Sequence, residues 1–552
     1  MVQKCLRTTF AALLALGAMD SLVTTASAKN GDGHPPPVTT GVPTANKREG
    51  TTANVIAPGF QLVPLVRGSD KLENPSGVIT NFGVLNDFPS PDTQKPPFVE
   101  ATKTEPDENT YVVLERNPGG PTARFNYGTH FLFQGHEMFS GDRAYVTRIN
   151  LDVTDPARRI TLMTPTGTDG TTGFNALDGS TWYPLTQTLL FTQEAGTTGG
   201  VIEVTATSWP PTVRTLYGSL GRGGYEGIHP DKDGRLILAE DVGGISVNVD
   251  PQDPNSPKNA RQPNSFIYRY VPTADPLDPL ARGALQALQV QIDGLSITFH
   301  ANDVVGDIFS EAQLKLHTPG KKWKARWVTI HDTAVQGTSS FVANALAKAA
   351  GATPFRRPEN LQFLPGSGFK TFFFDETGDT NANSGNQPAL AARGAWGTIM
   401  RVDIDPDESE GTISLFVLGD KDHAAFDNLM FADRTTLLAC EDRGDTLHKQ
   451  LNILDSCWAY DVRGKDPTPR RFLALGRDDA AVKDVEFSDA QTPGFQNDGD
   501  NEPTGIFISN GDPSSEDDAE GMLGTKKNLR GARWFITQQH GNDVVFEILP
   551  PK

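Results

Sequence analysis

Six short apolar runs in this chain each end in a polar or acidic cluster, and this repetition limits the possible folds more than any other feature. Each run has the length and the aromatic or β-branched content of a strand. The runs are HFLFQGHE (130–137), TLLFTQE (188–194), RLILAED (235–241), KTFFFDE (370–376), TLLACED (436–442) and RWFITQQH (533–540). If similar units surround one axis, their strand ends point at one place, where grouped carboxylates can hold a metal ion.

The neighbourhood of each run predicts a repeated antiparallel unit. A second short strand follows every run, and several runs are preceded by a strand and a tight turn. The clearest turn is Asp233-Gly234 within residues 226–241, a strong hairpin signal. A unit of three or four antiparallel strands repeated about six times predicts an all-β fold, a six-bladed β-propeller. Two separate β-sandwiches are the alternative.

The first 58 residues differ from the rest of the chain. Residues 1–28 combine a positive start, an apolar stretch and a small-residue cleavage site, so we expect a Sec-type signal peptide and a secreted or periplasmic protein. Residues 29–58 are rich in Pro, Gly, Thr and Asn and predict a disordered leader. The propeller domain is then expected over residues 59–552. No segment after the leader is long and apolar enough to predict a membrane span.

Residues 273–350 interrupt the repeat and predict a partly helical insertion. The helical patterns are SEAQLKLH (310–317) and SSFVANALAKAA (339–350), and Gly351 is a normal helix stop. We expect this insertion to cover one face of the propeller.

The chain of 552 residues is acidic, with a formal net charge of −19. Nucleic-acid binding requires a basic surface, so such a partner is not expected. Excess carboxylates suit a protein that binds calcium, which prefers hard oxygen ligands. A surface whose acidic groups only increase solubility is the alternative.

Two cysteines remain once Cys5 is assigned to the signal peptide. Cys440 and Cys457 stand on either side of a predicted hairpin connection, so a disulfide between them is a candidate in an oxidising compartment. Two thiols do not predict a cysteine-based zinc site.

Acidic residues at the starts of first strands are the best candidate metal ligands. Glu226, Asp427 and Glu502 occupy matching positions in different units. In a hairpin, the start of the first strand lies beside the end of the second strand, so Glu226 is expected near Asp241. Several carboxylates in one place repel each other unless cations neutralise them, which predicts calcium. Each acid alone could equally be an ordinary solvated loop residue.

The stretch Arg356-Arg357-Pro358-Glu359 combines a residue type that binds phosphate with a residue type that binds metal ions. The planar guanidinium of Arg357 matches phosphate oxygens, and Glu359 can bind a metal. An Arg–Glu ion pair at a strand start is the alternative.

Three further residues end other runs. Glu194 is a possible metal ligand, and His136 and His540 are candidates for substrate binding. A lone histidine is otherwise a hydrogen-bonded structural residue. The chain has no G-x-S-x-G elbow, Walker loop or dinucleotide fingerprint in a fitting context, so these enzyme classes are not predicted.

At these residues the chain resembles the PhoX-type alkaline phosphatases, which are secreted calcium- and iron-dependent β-propellers. The similar segments, in chain order, are HFLFQGHEM (130–138), LGRGGYEG (220–227), ATPFRRPENL (352–361), FDNLMF (426–431) and NEPTG (501–505). The resemblance implies metal-binding roles for Glu226, Glu359 and Asp427. It also implies a phosphate-binding, catalytic role for Arg357.

The chain departs from the family pattern at the predicted iron ligand. Gln193 in LLFTQEA (189–195) stands where the family's W-L-T-C-E-E segment has a cysteine, and Tyr225 stands where the family has a histidine. Glutamine cannot supply the thiolate that stabilises ferric iron. The acidic residues therefore predict bound calcium. Iron is implied only by the family resemblance, and Gln193 does not fit it.

Three functions remain open from the sequence. The first is an exported metal-dependent phosphoesterase acting, as a monomer, on small phosphate monoesters, with Arg357 and Glu359 as its catalytic residues. The second is a calcium-dependent propeller hydrolase of the lactonase or phytase type. The third is a non-catalytic extracellular binding module stabilised by calcium, and fold alone does not choose among them.

Overall fold

Strands are the main regular secondary structure of the computed structural model. It describes residues 52–83, 104–138, 141–273, 275, 277–464, 467–477, 502–513 and 532–551. The predicted signal peptide and residues 29–51 of the predicted leader lie outside these ranges. Everything described belongs to one compact unit, Pro35–Lys552.

The first described strands overlap the predicted leader. The first four strands are β1 Val55–Ile56, β2 Gln61–Val66, β3 Lys71–Ser76 and β4 Ile79–Asn81. The predicted leader boundary at residue 58 therefore differs from the structure. Val55 and Ile56 carry apolar side chains that extend a sheet edge, which the Pro- and Gly-rich composition around them concealed.

The next strands form two four-stranded antiparallel units in simple chain order. The first unit contains β5 Glu105–Val113, β6 His130–Glu137, β7 Tyr145–Asn150 and β8 Ile160–Leu162. The second contains β9 Leu177–Tyr183, β10 Thr188–Gln193, β11 Gly200–Thr205 and β12 Val213–Thr215.

The third unit and the segment after it form part of a ten-stranded sheet. Their strands are β13 Tyr225–Pro230, β14 Leu236–Glu240, β15 Ser246–Val247, β16 Ala260–Arg261, β17 Ile267–Pro272, β18 Gly283–Ile292, β19 Leu295–Ser296 and β20 Trp323–Asp332. The hairpin β15–β16 pairs only with itself. The helices are α1 Val304–Phe309, α2 Glu311–Leu316, α3 Thr333–Gln336 and α4 Ala343–Ala349.

The fourth unit completes the same sheet. It contains β21 Leu361–Phe363, β22 Thr371–Glu376, β23 Thr398–Asp403 and β24 Glu410–Leu418, with helices α5 Ala382–Gly385 and α6 Pro388–Ala391 between β22 and β23. Strand β20 pairs with both β18 and β24 and joins the third unit to the fourth.

The last two units use strands from both ends of the chain. The fifth contains β25 Phe426–Phe431, β26 Thr436–Glu441, helix α7 Gly444–Leu451, β27 Ser456–Asp461 and β28 Arg470–Ala474. The sixth contains β29 Pro503–Ser509, β30 Arg533–Gln538 and β31 Val544–Leu549. Strand β1 pairs with β28, and β2 pairs with β31 as the fourth strand of the sixth unit.

The first strands of the units contact one another in a closed order: β5, β9, β13, β21, β25, β29 and again β5. The all-β prediction is confirmed, and a closed ring of inner strands does not fit two separate sandwiches. Because β20 merges two units into one sheet, the predicted number of separate blades stays a prediction.

The predicted insertion at residues 273–350 contains more sheet than expected. Helices α2 and α4 lie within the predicted helical stretches. However, β18 and β20 are ten-residue strands of the main sheet. Their alternating apolar positions were overlooked because Pro and Gly near residue 280 interrupt the pattern. The segment is a partly helical bridge between two units, not only a cover.

The hairpin between β13 and β14 shows how the local sequence sets the register. Gly234 has φ +79°, a conformation that favours glycine. The carboxylate of Asp231 accepts hydrogen bonds from the backbone amides of Asp233 and Arg235, both at 2.9 Å. This turn fixes which residues of β13 face the ends of β14.

A disulfide joins Cys440 in β26 to Cys457 in β27, with the two residues directly opposite in the strand pairing. Both cysteines are fully buried. The bridge lies one residue before Glu441, so it fastens the strand end that leads to Asp442.

Replacing both cysteines, Cys440→Ala with Cys457→Ala, is expected to lower the free energy of unfolding by about 3 kcal/mol. The bridge closes a loop of 17 residues, and a crosslink of this span restricts the unfolded chain. Denaturant unfolding of the variant and of the wild type, each with and without reductant, measures the effect. Equal stability of the oxidised wild type and the variant would contradict this expectation.

Candidate metal centre

The inner strands share an irregularity at one end, and this irregularity builds the site. In β5, β9, β13, β25 and β29, the pairing with the next strand shifts by one residue near the end where the acidic residues stand. A bulge of this kind opposes two residues to one and re-aims a side chain. The first extra residue is an acid in four of the five strands: Asp107, Asp178, Glu226 and Asp427.

Glycines after the bulge acids allow the inner strands to approach closely. A Cβ at Gly227 would stand 2.8 Å from the Cα of Asn360, and a Cβ at Gly179 would stand 2.1 Å from the carbonyl oxygen of Glu226. The amide of Gly227 donates to the carbonyl oxygen of Glu359 at 2.7 Å. These contacts bring acids from different units to one place.

Seven acids form three overlapping groups whose ligand atoms lie within 4.8 Å of one another in each group. Asp178 belongs to the first two groups and Glu226 to the last two, so the groups are continuous. The groups are Asp107, Glu137 and Asp178; Asp178, Glu194 and Glu226; and Glu226, Glu359 and Asp427. We call these seven residues the acidic cluster.

Burial and mutual repulsion disfavour the charged forms of these carboxyl groups. Burial, followed by the charge of Asp442, raises the pKa of Asp427 to about 6. Burial, followed by the charge of Glu359, raises the pKa of Glu226 well above its usual range. The other five members show the same direction, with burial as the largest cause. Charges buried this closely need a cation nearby.

Several oxygens at this site have no hydrogen-bond partner among the described residues. They include Oε1 of Glu137, Oδ1 of Asp241 and Oε1 of Glu359. The last lies 3.0 Å from Nη2 of Arg357, but in a poor hydrogen-bond geometry. Buried carboxylate oxygens without donors fit a hard cation. The donor set of the cluster is entirely oxygen, which matches the preference of calcium.

The predicted ligands Glu226, Glu359 and Asp427 are brought together in one group. Glu194 belongs to the adjoining group. The fifth predicted ligand, Glu502, is hydrogen-bonded to Asp427, and burial and then the charge of Asp442 raise its pKa.

Arg357 borders the cluster. Its Nε donates to Oδ2 of Asp241 at 2.8 Å, and its Nη2 lies 3.0 Å from Oε1 of Glu359. Burial opposes the charge of Arg357, but Asp241 and Glu359 raise its pKa well above the usual value. Its φ of +54° is a strained conformation for arginine, of the kind that collects at functional sites.

The two predicted histidines differ in position. Nδ1 of His540 lies 3.9 Å from Oε1 of Glu105. The negative charge of Glu105 contributes to raising the pKa of Glu137 and of Glu194, both in the acidic cluster. His136 is fully buried, with its ring nitrogens at hydrogen-bond distance from the hydroxyls of Thr104 and Thr147. The structure does not support a substrate contact for His136, because both of its polar atoms are engaged inside the protein.

Gln193 does not fit the iron implied by the family resemblance. Its side-chain amide donates to the hydroxyl of Tyr217 at 2.9 Å. Successive residues of a strand face opposite sides, and the neighbouring Glu194 is the one that joins the acidic cluster.

The sequence reasoning missed Asp107 and Asp178, and did not single out Glu137 as a ligand. All three lie in the first group. The available signal was an acid at the second or third residue of an inner strand, a position that Asp107 and Asp178 share with Glu226. The polar residues of β5 and β9 around these acids concealed the two strands in the sequence.

The family model described as alkaline phosphatase PhoX matches residues 247–509. The predicted resemblance to the PhoX family is confirmed. The matched part contains Arg357, Glu359, Asp427 and Glu502 of the candidate site. No curated protein matches the chain.

Among solved structures, Pseudomonas fluorescens PhoX in complex with vanadate, a transition-state analogue, is similar at a TM-score of 0.53 and 12% identity. The match covers 93% of this chain and 97% of that chain. At this identity the likeness shows the fold alone, and it confirms the β-propeller prediction. TolB from Acinetobacter baumannii (12% identity, 67% and 66% covered) and a Trichoderma reesei enzyme of family AA12 (10%, 93% and 99%) each have a TM-score of 0.28.

The PhoX family is metal-dependent, and the acidic cluster could bind metal. No helix within the described residues is long and apolar enough to cross a membrane.

Without calcium, the stability of the protein is expected to fall as pH rises from about 4 to about 7. Asp427 has a pKa raised from 3.8 to about 6, and Glu108, which accepts from the amide of Ser180, has a pKa raised from 4.5 to about 7. Such groups bind more protons when folded than when unfolded within these windows, so a rise in pH favours unfolding. Denaturant unfolding at several pH values with a chelator measures the slope. Calcium should flatten it, and a metal-free stability that rises over this range would contradict the account.

Asp427→Asn should have opposite effects on the metal-free and calcium-loaded protein. Removing one of several repelling carboxylates is expected to stabilise the metal-free form, and removing a ligand is expected to weaken calcium binding. Thermal unfolding with and without calcium, together with metal analysis, measures both effects.

A matched control is Glu311→Gln, which changes charge equally at a side chain that is 79% exposed in α2. It should leave calcium binding unchanged. Equal calcium-induced stabilisation in Asp427→Asn and wild type would contradict the assignment of Asp427.

Proposed function

We propose that this chain is an exported, calcium-dependent phosphoesterase that hydrolyses small phosphate monoesters. The observation that carries the proposal is the position of Arg357 beside the acidic cluster, paired with Asp241 and Glu359. An arginine next to a cation-binding group of carboxylates is suited to hold a phosphate. The PhoX match supports the reaction class.

Residues of the acidic cluster would hold calcium, with Glu226, Glu359 and Asp427 as one ligand group and Asp178 and Glu194 as further ligands. Calcium, when bound, supplies positive charge that stabilises the oxygens of a phosphoryl group.

Arg357 would orient the phosphate. Its ion pairs use Nε and Nη2, and no hydrogen bond or ion pair engages Nη1 within the described parts of the chain. Its side chain is 18% exposed, so part of the guanidinium can reach a ligand. A guanidinium with a free N–H edge can donate to phosphoryl oxygens while its other edge stays anchored. The ion pairs with Asp241 and Glu359 keep this edge in one orientation.

When an alkyl phosphate is hydrolysed, the alkoxide leaving group must acquire a proton. His540 lies at the edge of the site near Glu105, and we propose it as a substrate-binding residue that can supply this proton. His136 is not part of the proposal.

The hydrolysis of p-nitrophenyl phosphate, before and after calcium removal, tests the proposed function. We expect activity with calcium, loss with chelator, and recovery when calcium is restored. Arg357→Gln is expected to lower kcat/KM by about 10²- to 10³-fold, the usual effect of removing one donor to developing charge.

Arg116→Gln is the matched control, because Arg116 is an exposed arginine after the opposite end of β5. It should retain wild-type kinetics. A calcium-loaded wild type without turnover of any phosphate monoester would overturn the proposal.

A calcium-stabilised binding module without catalysis is the second candidate. The hydrogen bond from Gln193 to Tyr217 favours it, because that side chain is already engaged at the position of the family's metal-binding cysteine. Calcium-dependent stability without turnover would support this second candidate over the first.

A further inference from the structure

Arg261 is a second arginine at the candidate site, and neither its sequence position nor any motif pointed to it. It ends the hairpin strand β16, opposite Ser246 of β15. Its Nη1 lies 3.5 Å from the position that a Cβ would take at Gly243, two residues after Asp241. The guanidinium of Arg261 therefore lies beside the segment that carries Asp241, the carboxylate that pairs with Arg357. The charges of Arg357 and Asp241 both act on Arg261.

A buried ion pair holds the backbone of Arg261. Nη1 of Arg356 lies 2.9 Å from Oδ1 of Asp379, and both side chains are inaccessible to solvent. The same Nη1 donates to the carbonyl oxygen of Arg261 at 2.9 Å, and the amide of Arg261 donates to Oδ1 of Asp379 at 3.4 Å. Both peptide groups of Arg261 are therefore fixed by one ion pair.

The same ion pair fixes Arg357, because Arg356 directly precedes it. The amide of Arg356 donates to Oε1 of Glu376 at 2.7 Å, and the carbonyl oxygen of Arg357 accepts from Thr377 at 2.9 Å. One buried anchor thus sets the relative position of the two arginines. Such preorganisation lowers the entropy lost when a ligand engages both.

The guanidinium groups of Arg357 and Arg261 differ in the number of carboxylates with which they pair. Arg357 is paired with two carboxylates. By contrast, none of the described residues forms a hydrogen bond or ion pair with the side chain of Arg261. The side chain of Arg261 is half-buried. Its nitrogens are not among the fully buried polar atoms that have no hydrogen-bond partner. Arg261 therefore offers a complete guanidinium fork at the rim of the site.

The electrostatic surroundings support a role in ligand binding. Burial and the nearby charge of Arg357 lower the pKa of Arg261, while Asp241 and Asp379 only partly offset this. The positive charge of Arg357 acts unfavourably on that of Arg261. An anion between or beside them would relieve that repulsion.

We propose that Arg261 is a specificity-determining residue that binds a second anionic group on the substrate, while Arg357 holds the phosphoryl group to be transferred. The preferred substrates are then phosphate monoesters whose leaving group carries a second oxyanion, a phosphate or a carboxylate. This inference rests on the proposed function and narrows its substrate class.

Calorimetric binding of three phosphonates to the calcium-loaded protein tests the inference without turnover. Propylphosphonate has one anionic group, 3-phosphonopropionate adds a carboxylate at nearly the same size, and ethane-1,2-diphosphonate adds a second phosphonate. We expect at least one doubly anionic ligand to bind wild type about tenfold more tightly than propylphosphonate, as for one added charged hydrogen bond. Which of the two shows the gain identifies the second oxyanion.

Arg261→Gln should reduce this ratio to near one and leave propylphosphonate affinity unchanged, whereas Arg261→Lys should retain part of the ratio. Arg116→Gln, which removes the same charge elsewhere, should keep the wild-type ratio. Calcium content is measured in each sample, so that chelation by the diphosphonate is recognised.

Two results would overturn the role of Arg261: a ratio unchanged in Arg261→Gln, or an equal loss of affinity for all three ligands. Failure of the wild type to bind any phosphonate would instead refute the proposed phosphoesterase, and the inference with it. The two failures are distinguishable because only the second appears in the wild type.

Discussion

The mutual repulsion of carboxylates at the centre of the ring is the constraint on which the rest of this structure depends. Seven acids from several sheets are placed with ligand atoms within 4.8 Å of one another in each group, and most are buried. Water cannot solvate them well, and only part of their charge is offset by Arg357. Such a group persists if protons or cations neutralise it. The fold keeps the acids together through covalent and backbone restraints rather than through their own interactions.

Repeated bulges and buried anchors supply these restraints. Four of the five bulged inner strands carry an acid at the bulge, and Gly179 and Gly227 after two of these acids let neighbouring strands approach closely. Behind the acids, the disulfide Cys440–Cys457 and the ion pair of Arg443 with Glu441, at 2.6 Å, hold the end of β26. Arg356 and Asp379 have the same function behind Arg357. The rigidity of the surroundings is what allows an unfavourable arrangement of charges at the site.

The sequence predicted the fold class and the main ligand group because both depend on local pattern. Strands with alternating apolar and polar residues, joined by a strong turn signal such as Asp233-Gly234, predict hairpins directly. Glu226, Glu359 and Asp427 stand next to such signals and could be aligned with one another. Asp107 and Asp178 could not, because polar residues conceal the strands β5 and β9 that carry them, so no hairpin was recognised there. The position of Arg261 at the site could not be predicted from the sequence either, because it depends on a buried ion pair that connects distant parts of the chain.

A crystal structure of protein grown with calcium tests the central claim most directly. The account predicts anomalous density for an ion 2.3–2.6 Å from oxygens of Glu226, Glu359 and Asp427, at the distances usual for calcium. It would be contradicted by a well-ordered site without an ion, in which these carboxyl groups pair with one another through shared protons.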